Sequence, residues 1–217
     1  MKKLIVKLAV ILFILLLVSI AFSCAAPVPE TVVFPDENLE AVIRDALDKP
    51  EGDITPAELA ELTMLSARCQ GITEGITDLS GIEYCTNLTM LDLSRHQIRD
   101  VSPLSSLTNL TMLQLNSMGF PNQIDDISPL SSLTNLTYLS LRSNEISDIS
   151  PLASLTNLQW VSLYNNQISD ISPLVENSGL GEGDRVLLEH NNLDLSEGSE
   201  DLENIRILEE RGVQVDY

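Results

Sequence analysis

Beyond residue 60, apolar and polar residues follow a recurring spacing. In the stretch Thr137-Tyr-Leu-Ser-Leu141, Leu139 and Leu141 alternate with Tyr138 and Ser140. That period of two predicts a short strand with the leucines inward and Tyr138 and Ser140 outward. Asn144 ends the strand. Asp148-Ile-Ser-Pro-Leu152 then reads as the start of a helical turn. Ser150 is expected to cap it, and Pro151 to take the first helical position, where its missing N–H costs nothing. Leu152 and Leu155 point back inward, and Thr156-Asn157 returns the chain to the next strand.

The same spacing recurs along the chain. Leu88 to Leu110 and Leu136 to Leu158 are each 22 residues apart, whereas Leu62 to Leu88 and Leu110 to Leu136 are 26 apart. The longer units carry Gly71–Glu74 and Met118–Pro121, insertions that should bulge at the strand-end rim without breaking the stack. Met118–Pro121 reads as a tolerated loop or, with Phe120 exposed, as a rim contact. One unit alone buries too few aliphatics to offset the entropy of ordering it. Neighbours must therefore share strand hydrogen bonds and cover one another's faces, which makes a nearly one-dimensional coil. A buried asparagine has to satisfy both ends of its amide. The column Gln70, His96, Asn122, Asn144, Asn166 and Asn191 is expected to do so against the backbones of its own and adjacent units, with a ring nitrogen of His96 replacing an amide bond.

The open ends of such a coil need lids. Asp36 to Asp48 spaces Leu39, Val42, Ile43, Ala46 and Leu47 on one helix face, and Thr55-Pro-Ala-Glu58 has the form of a capping box. At the far end Glu200 to Arg211 spaces Leu202, Ile205 and Leu208 as a second amphipathic helix. Gly212 stops it, and Val213-Gln-Val215 can pair as a last strand. With both lids present, no catalytic or wall-anchoring domain is expected to follow.

The consensus LxxLxLxxNxIxDIxPLxxL resembles the leucine-rich repeat, in the 22-residue bacterial class seen in internalins, over residues 31–217. The resemblance implies an α/β solenoid, a curved right-handed coil with a parallel β-sheet on its concave face, a helical N-terminal cap and a C-terminal capping helix. The expected organisation is a signal peptide over 1–23, a tether over 24–30, a cap over 31–61, about six repeats over 62–193 and a C-terminal cap over 194–217. Protein ligands, including host surface proteins, are what the resemblance implies as partners.

Outward strand positions do not repeat, so packing does not fix them. One column reads Met64, Met90, Met112, Tyr138, Trp160, Arg185; a second reads Ser66, Asp92, Gln114, Ser140, Ser162, Leu187; a third reads Arg68, Ser94, Asn116, Arg142, Tyr164, Glu189. Tyr, Trp and Arg are enriched at binding hot spots, and methionine suits adaptable apolar contact. Tyr138, Arg142, Trp160, Tyr164, Met112 and Asn116 are therefore the candidate ligand-binding residues. The competing reading is that the aromatics stabilise adjacent strands.

Composition adds direction. The net charge is −20, so phosphate backbones are repelled and nucleic acid is a poor partner. Lys2, Lys3 and Lys7 precede the apolar run Leu8–Ile20, the pattern of an export signal. Ile20-Ala-Phe-Ser-Cys24 resembles a bacterial lipobox, apart from Phe22, and implies cleavage before Cys24 and its lipidation. Ordinary cleavage after Ala25, or an uncleaved anchor, are the alternatives. The chain is thus expected on the outer face of a bacterial membrane through a lipid, or else secreted. Cys85 falls in the column of Leu107, Leu133 and Leu155 as a core residue, which argues against pairing with Cys69. His190 has no Cys or His at metal-ligand spacing, no phosphate loop or nucleophile elbow occurs, and no cofactor, metal or catalytic residue is expected. One Asp per turn (Asp100, Asp148, Asp170) should bond the following backbone. Asn87-Leu-Thr89, Asn109-Leu-Thr111 and Asn135-Leu-Thr137 match the glycosylation pattern as a by-product of the repeat. The expected function is non-catalytic recognition of a protein by a monomer through its concave face, with structural assembly of the cell envelope as the alternative.

Overall fold

A computed structural model describes residues 28–67, 75–117 and 122–217. The export signal, Cys24, Arg68, Cys69, Gln70 and both insertions with Phe120 lie outside these residues. Among those described, seven three-residue strands form one parallel sheet in chain order: β1 (Met64–Ser66), β2 (Met90–Asp92), β3 (Met112–Gln114), β4 (Tyr138–Ser140), β5 (Trp160–Ser162), β6 (Arg185–Leu187) and β7 (Gln214–Asp216). Each repeat contributes one strand beside the last. The register aligns Met64, Met90, Met112, Tyr138, Trp160 and Arg185 side by side. The pairing runs on past the strand ends, through Leu93 N–H to the Gln114 carbonyl at 2.9 Å and Arg95 N–H to the Asn116 carbonyl at 2.7 Å. The chain is an α/β solenoid with this sheet on its concave face.

The opposite wall is built from short 3₁₀ turns, Ile82–Tyr84, Ser102–Ser106, Ser128–Ser132 and Ser150–Ser154, and a five-residue α-helix, Ser172–Glu176. Proline sits in the first turn of the last four. The expectation that Ser150 caps its turn is corrected: Ser150 is the first residue of the turn, and no side chain caps it. The aspartate two residues earlier acts instead. Asp148 Oδ1 accepts from Ser150 N–H at 2.8 Å, and Asp78, Asp100, Asp126 and Asp170 do the same for Ser80, Ser102, Ser128 and Ser172. A short carboxylate reaches the backbone two residues on, as Asx turns do.

Between the two walls the aliphatics form one continuous core. Leu91, Leu113, Leu139, Val161 and Val186 project from the strands, and Leu104, Leu130, Leu152 and Leu174 from the turns, all buried. Cys85 is buried in that core. Burial, then the nearby Glu83 charge, pushes its thiol pKa up to about 12.

Both ends are covered. Helix Glu37–Ala46 buries Leu39 and Ile43 on the first repeat, with Val42 and Leu47 half-buried and Ala46 exposed. Thr55 and Glu58 form the capping box of the short helix that follows. At the far end, helix Glu200–Glu210 buries Ile205 and Leu208. Gly212 adopts φ +91°, and a Cβ there would lie 2.9 Å from Glu182 Cα, so the turn into β7 requires glycine. Gly179 is required by space alone, because a Cβ would meet the Thr156 carbonyl oxygen at 1.8 Å.

Candidate functional site

Strand register decides which side chains share the concave face. Parallel strands lie about 4.8 Å apart, so residues in one column meet directly. Tyr138 and Trp160 occupy consecutive strands, and their rings stack with centroids 4.3 Å apart and planes 2° from parallel. Both rings are half-buried. Burial raises the Tyr138 hydroxyl pKa, and the Asp92 charge adds to it, so the phenol stays neutral. On the N-terminal side the column continues as methionine. Met64 is 62% exposed, while Met90 and Met112 are half-buried.

A second stack stands beside the first. The Arg142 guanidinium carbon lies 4.2 Å from the centre of the Tyr164 ring. His190 meets the same ring edge-on, with centroids 4.8 Å apart and an angle of 72°. The structure therefore brings Tyr138, Trp160, Arg142 and Tyr164 together over two adjacent strands, and adds His190, which the outward columns do not contain. His190 reaches the face because it adopts φ +60° just before Asn191. Arg95, Ser143 and Asn165 hold the same left-handed conformation before His96, Asn144 and Asn166. Nothing in the spacing of hydrophobic residues marks that position.

The second column departs from expectation. Ser140 and Ser162 lie on the outward side but are each only 2% exposed. Ser140 Oγ donates to Asn116 Oδ1, which also accepts from Arg142 N–H at 3.3 Å. Asn116 is tied into the face by these bonds rather than left free. Gln114 Nε2 lies 3.9 Å from the Met112 sulfur.

Behind the face runs the amide ladder. His96 Nδ1 accepts from Ile76 N–H at 3.0 Å, and Nε2 donates to the Ala67 carbonyl. Asn122 accepts from Ile98 N–H and donates to the Leu115 carbonyl. Asn166 accepts from Ile146 N–H and donates to the Leu141 and Leu163 carbonyls. Asn191 repeats the scheme one unit on. Asn144 donates to the Leu115 and Leu141 carbonyls, while its Oδ1 is buried without a partner among the described residues. Burial lowers the His96 pKa against opposing contributions from Ala67, Asp36 and Asp92, consistent with the neutral ring that the two bonds require.

A second asparagine ladder, on the exposed side, escaped sequence reasoning. Asn87, Asn109, Asn135 and Asn157 donate to the carbonyls of Ala60, Thr86, Thr108 and Thr134 in the preceding unit. Thr89, Thr111 and Thr137 bond the carbonyls of Thr63, Thr89 and Thr111. The Asn-Leu-Thr triplets thus have a structural use. Asn177 is a further buried amide, bonded to Leu152, Leu155 and Gly179.

Known proteins share this architecture. The leucine-rich-repeat family, as a two-copy unit, matches residues 86–132, 108–154 and 134–176. The internalin inlF of Listeria monocytogenes is 33% identical over 89% of this chain and 59% of its own, with a TM-score of 0.69. This chain is an internalin-like bacterial leucine-rich-repeat protein. It spans 59% of the length of the inlF structure. The functional domain of InlJ from the same organism is 25% identical over 76% of this chain and 39% of its own, with a TM-score of 0.56. That domain includes a cysteine ladder, whereas the ladder of this internalin-like chain is built from asparagine and histidine. A leucine-rich-repeat protein of Leptospira interrogans shares the fold at 24% identity over 76% of this chain and 40% of its own, with a TM-score of 0.58. Among curated proteins none matches.

Proposed function

We propose that this internalin-like chain is a non-catalytic recognition module, exported to the bacterial cell surface, that binds a protein partner through its concave face. The observation that carries this is the pairing of two stacks, Tyr138 on Trp160 and Arg142 on Tyr164, at non-repeating positions of an otherwise repetitive sheet. Aromatic and arginine side chains already held in place by neighbours lose little entropy on binding, which suits them to be anchors. The methionines beside them add adaptable apolar area. Attachment through a lipid on Cys24 belongs to the same reading and is tested by labelling with a palmitate analogue, with and without Cys24→Ala. The recognition role is tested by affinity capture with the purified chain, followed by titration of the captured protein. Saturable binding that is lost with Trp160→Ala supports recognition. Concentration-dependent self-association with no saturable partner supports an envelope assembly role and overturns the reading.

A further inference from the structure

In a chain with net charge −20, a basic side chain is expected to find a carboxylate. Among the described residues most do. Arg44, Lys49, Arg99, Arg185 and Arg206 all make ion pairs, and Arg211 donates to the Val175 carbonyl. Arg95 and Arg142 do neither. Their Nε–H groups are buried and donate to nothing among the described residues. Arg142 lies two residues past the end of β4, and Arg95 three past the end of β2, at the left-handed position that His190 holds four strands on; the backbone of the Asn116-Ser117 segment joins them through Arg95 N–H to Asn116 and Ser117 N–H to Arg142. Two strand spacings put them roughly 10 Å apart.

Resting on the recognition role proposed above, we infer that the partner presents a carboxylate side chain next to an apolar one. The carboxylate pairs with Arg142, assisted by Arg95, and the apolar group lies on Met112 and the Tyr138–Trp160 stack. The chemistry selects this occupant. A guanidinium offers a planar fork of N–H donors matched to a carboxylate, and Tyr164 holds the Arg142 head in place before the partner arrives. The terminal nitrogens of Arg142, unlike its Nε, are not buried and make no ion pair among the described residues, so they gain a partner on binding at little ordering cost. The flanking carboxylates are Asp92 on β2, bonded to Ser94 N–H, and Glu189 beyond Tyr164, whose Oε2 is buried and unpaired. They repel an acidic group at either end of the face and leave its middle as the favoured position. Elsewhere the acidic surface disfavours a partner carboxylate, so these two arginines set the register of docking as well as its strength.

The test is selection of a random peptide phage library on the purified chain, with Arg95→Gln/Arg142→Gln and Trp160→Ala as parallel baits. Peptides carrying Asp or Glu beside Leu, Phe or Trp are expected from the wild type, and the double variant should lose the acidic preference. A selected peptide re-made with Gln for its carboxylate should bind the wild type about tenfold more weakly and Arg142→Gln with unchanged affinity. Arg142→Lys keeps the charge but not the fork, and serves if Arg142→Gln lowers the melting temperature. Selected peptides with no acidic preference, or identical selections by the double variant, overturn the carboxylate inference while loss on Trp160→Ala leaves concave recognition intact. Identical selections by Trp160→Ala, or none above background, overturn both.

Discussion

One oxygen of the Asp36 carboxylate accepts both the backbone N–H of Thr77, at 2.7 Å, and its hydroxyl, at 3.0 Å. The same oxygen accepts from Asp78 N–H, and the other oxygen caps helix Glu37–Ala46 through Asn38 and Leu39. A single buried side chain thus both starts the cap helix and fastens it to the first repeat. Asp36→Ala should lower the unfolding free energy by about 2 kcal/mol or more, since it removes a helix cap and orphans buried N–H groups. Urea denaturation followed by circular dichroism checks it. A change under about 0.5 kcal/mol would mean the cap is held by apolar contacts alone.

Asp36 also sets a pH dependence. Burial pushes its pKa up, but the hydrogen bonds from Thr77, Leu39 and Asp78 outweigh that and hold it below the ordinary aspartate value. A depressed folded pKa contributes stability that is present above the unfolded value and lost as pH falls through the folded one. Stability should therefore fall below about pH 4 in the wild type, and by less in Asp36→Asn. Equal acid sensitivity of the two proteins would contradict the assignment.

His96 contributes in a higher window. Its folded pKa is lowered first by burial, so the neutral ring is the folded form and stability is lost as pH falls below about 6.5. His96→Asn should keep both ladder bonds, raise the urea midpoint and flatten the profile between about pH 7 and 5. An unchanged or lower midpoint at neutral pH would tell against a ladder role for this residue.

The two asparagine ladders should differ in strength. Asn166→Ala strands a buried N–H and two carbonyls and should cost about 2–4 kcal/mol, whereas Asn135→Ala removes an exposed bond and should cost under about 1 kcal/mol. Paired urea titrations decide this, and equal costs would contradict the burial argument.

Cys85 should be chemically silent. With its thiol pKa pushed up to about 12 and no exposed surface, it should resist a soluble disulfide reagent in the native protein and react on unfolding. Reaction of Cys85 in the native state at the rate of a free thiol would contradict its place in the core.

Much of this was legible in the sequence because stacking imposes strict rules. The leucine and isoleucine columns follow from periods of two and of one repeat, which leave no freedom to drift, while the capping box at Thr55 and Glu58 and the terminal helices follow from local motif and helical spacing. The strand register that stacks Tyr138 on Trp160 followed from counting. What was not legible depended on neighbours. Ser150 looks like a helix cap in isolation, but it enters the turn as its first residue, with its N–H held by Asp148 in an Asx turn. Ser140 reads as exposed by alternation and is covered by what surrounds it. His190 reaches Tyr164 only through a left-handed residue that no hydrophobic pattern announces. The exposed Asn87–Asn157 ladder hides because asparagine in a loop reads as a turn former.

The most direct measurement is the equilibrium dissociation constant of the captured partner for Trp160→Ala beside the wild type, with both melting temperatures recorded. The buried columns hold the coil together, so the variant is expected to keep its fold, losing only about 1 kcal/mol from the Tyr138 stack, while binding weakens about 30-fold or more. Unchanged binding, or a collapse of stability with the affinity of the remaining folded protein intact, would make the concave aromatics packing elements and contradict their role in recognition.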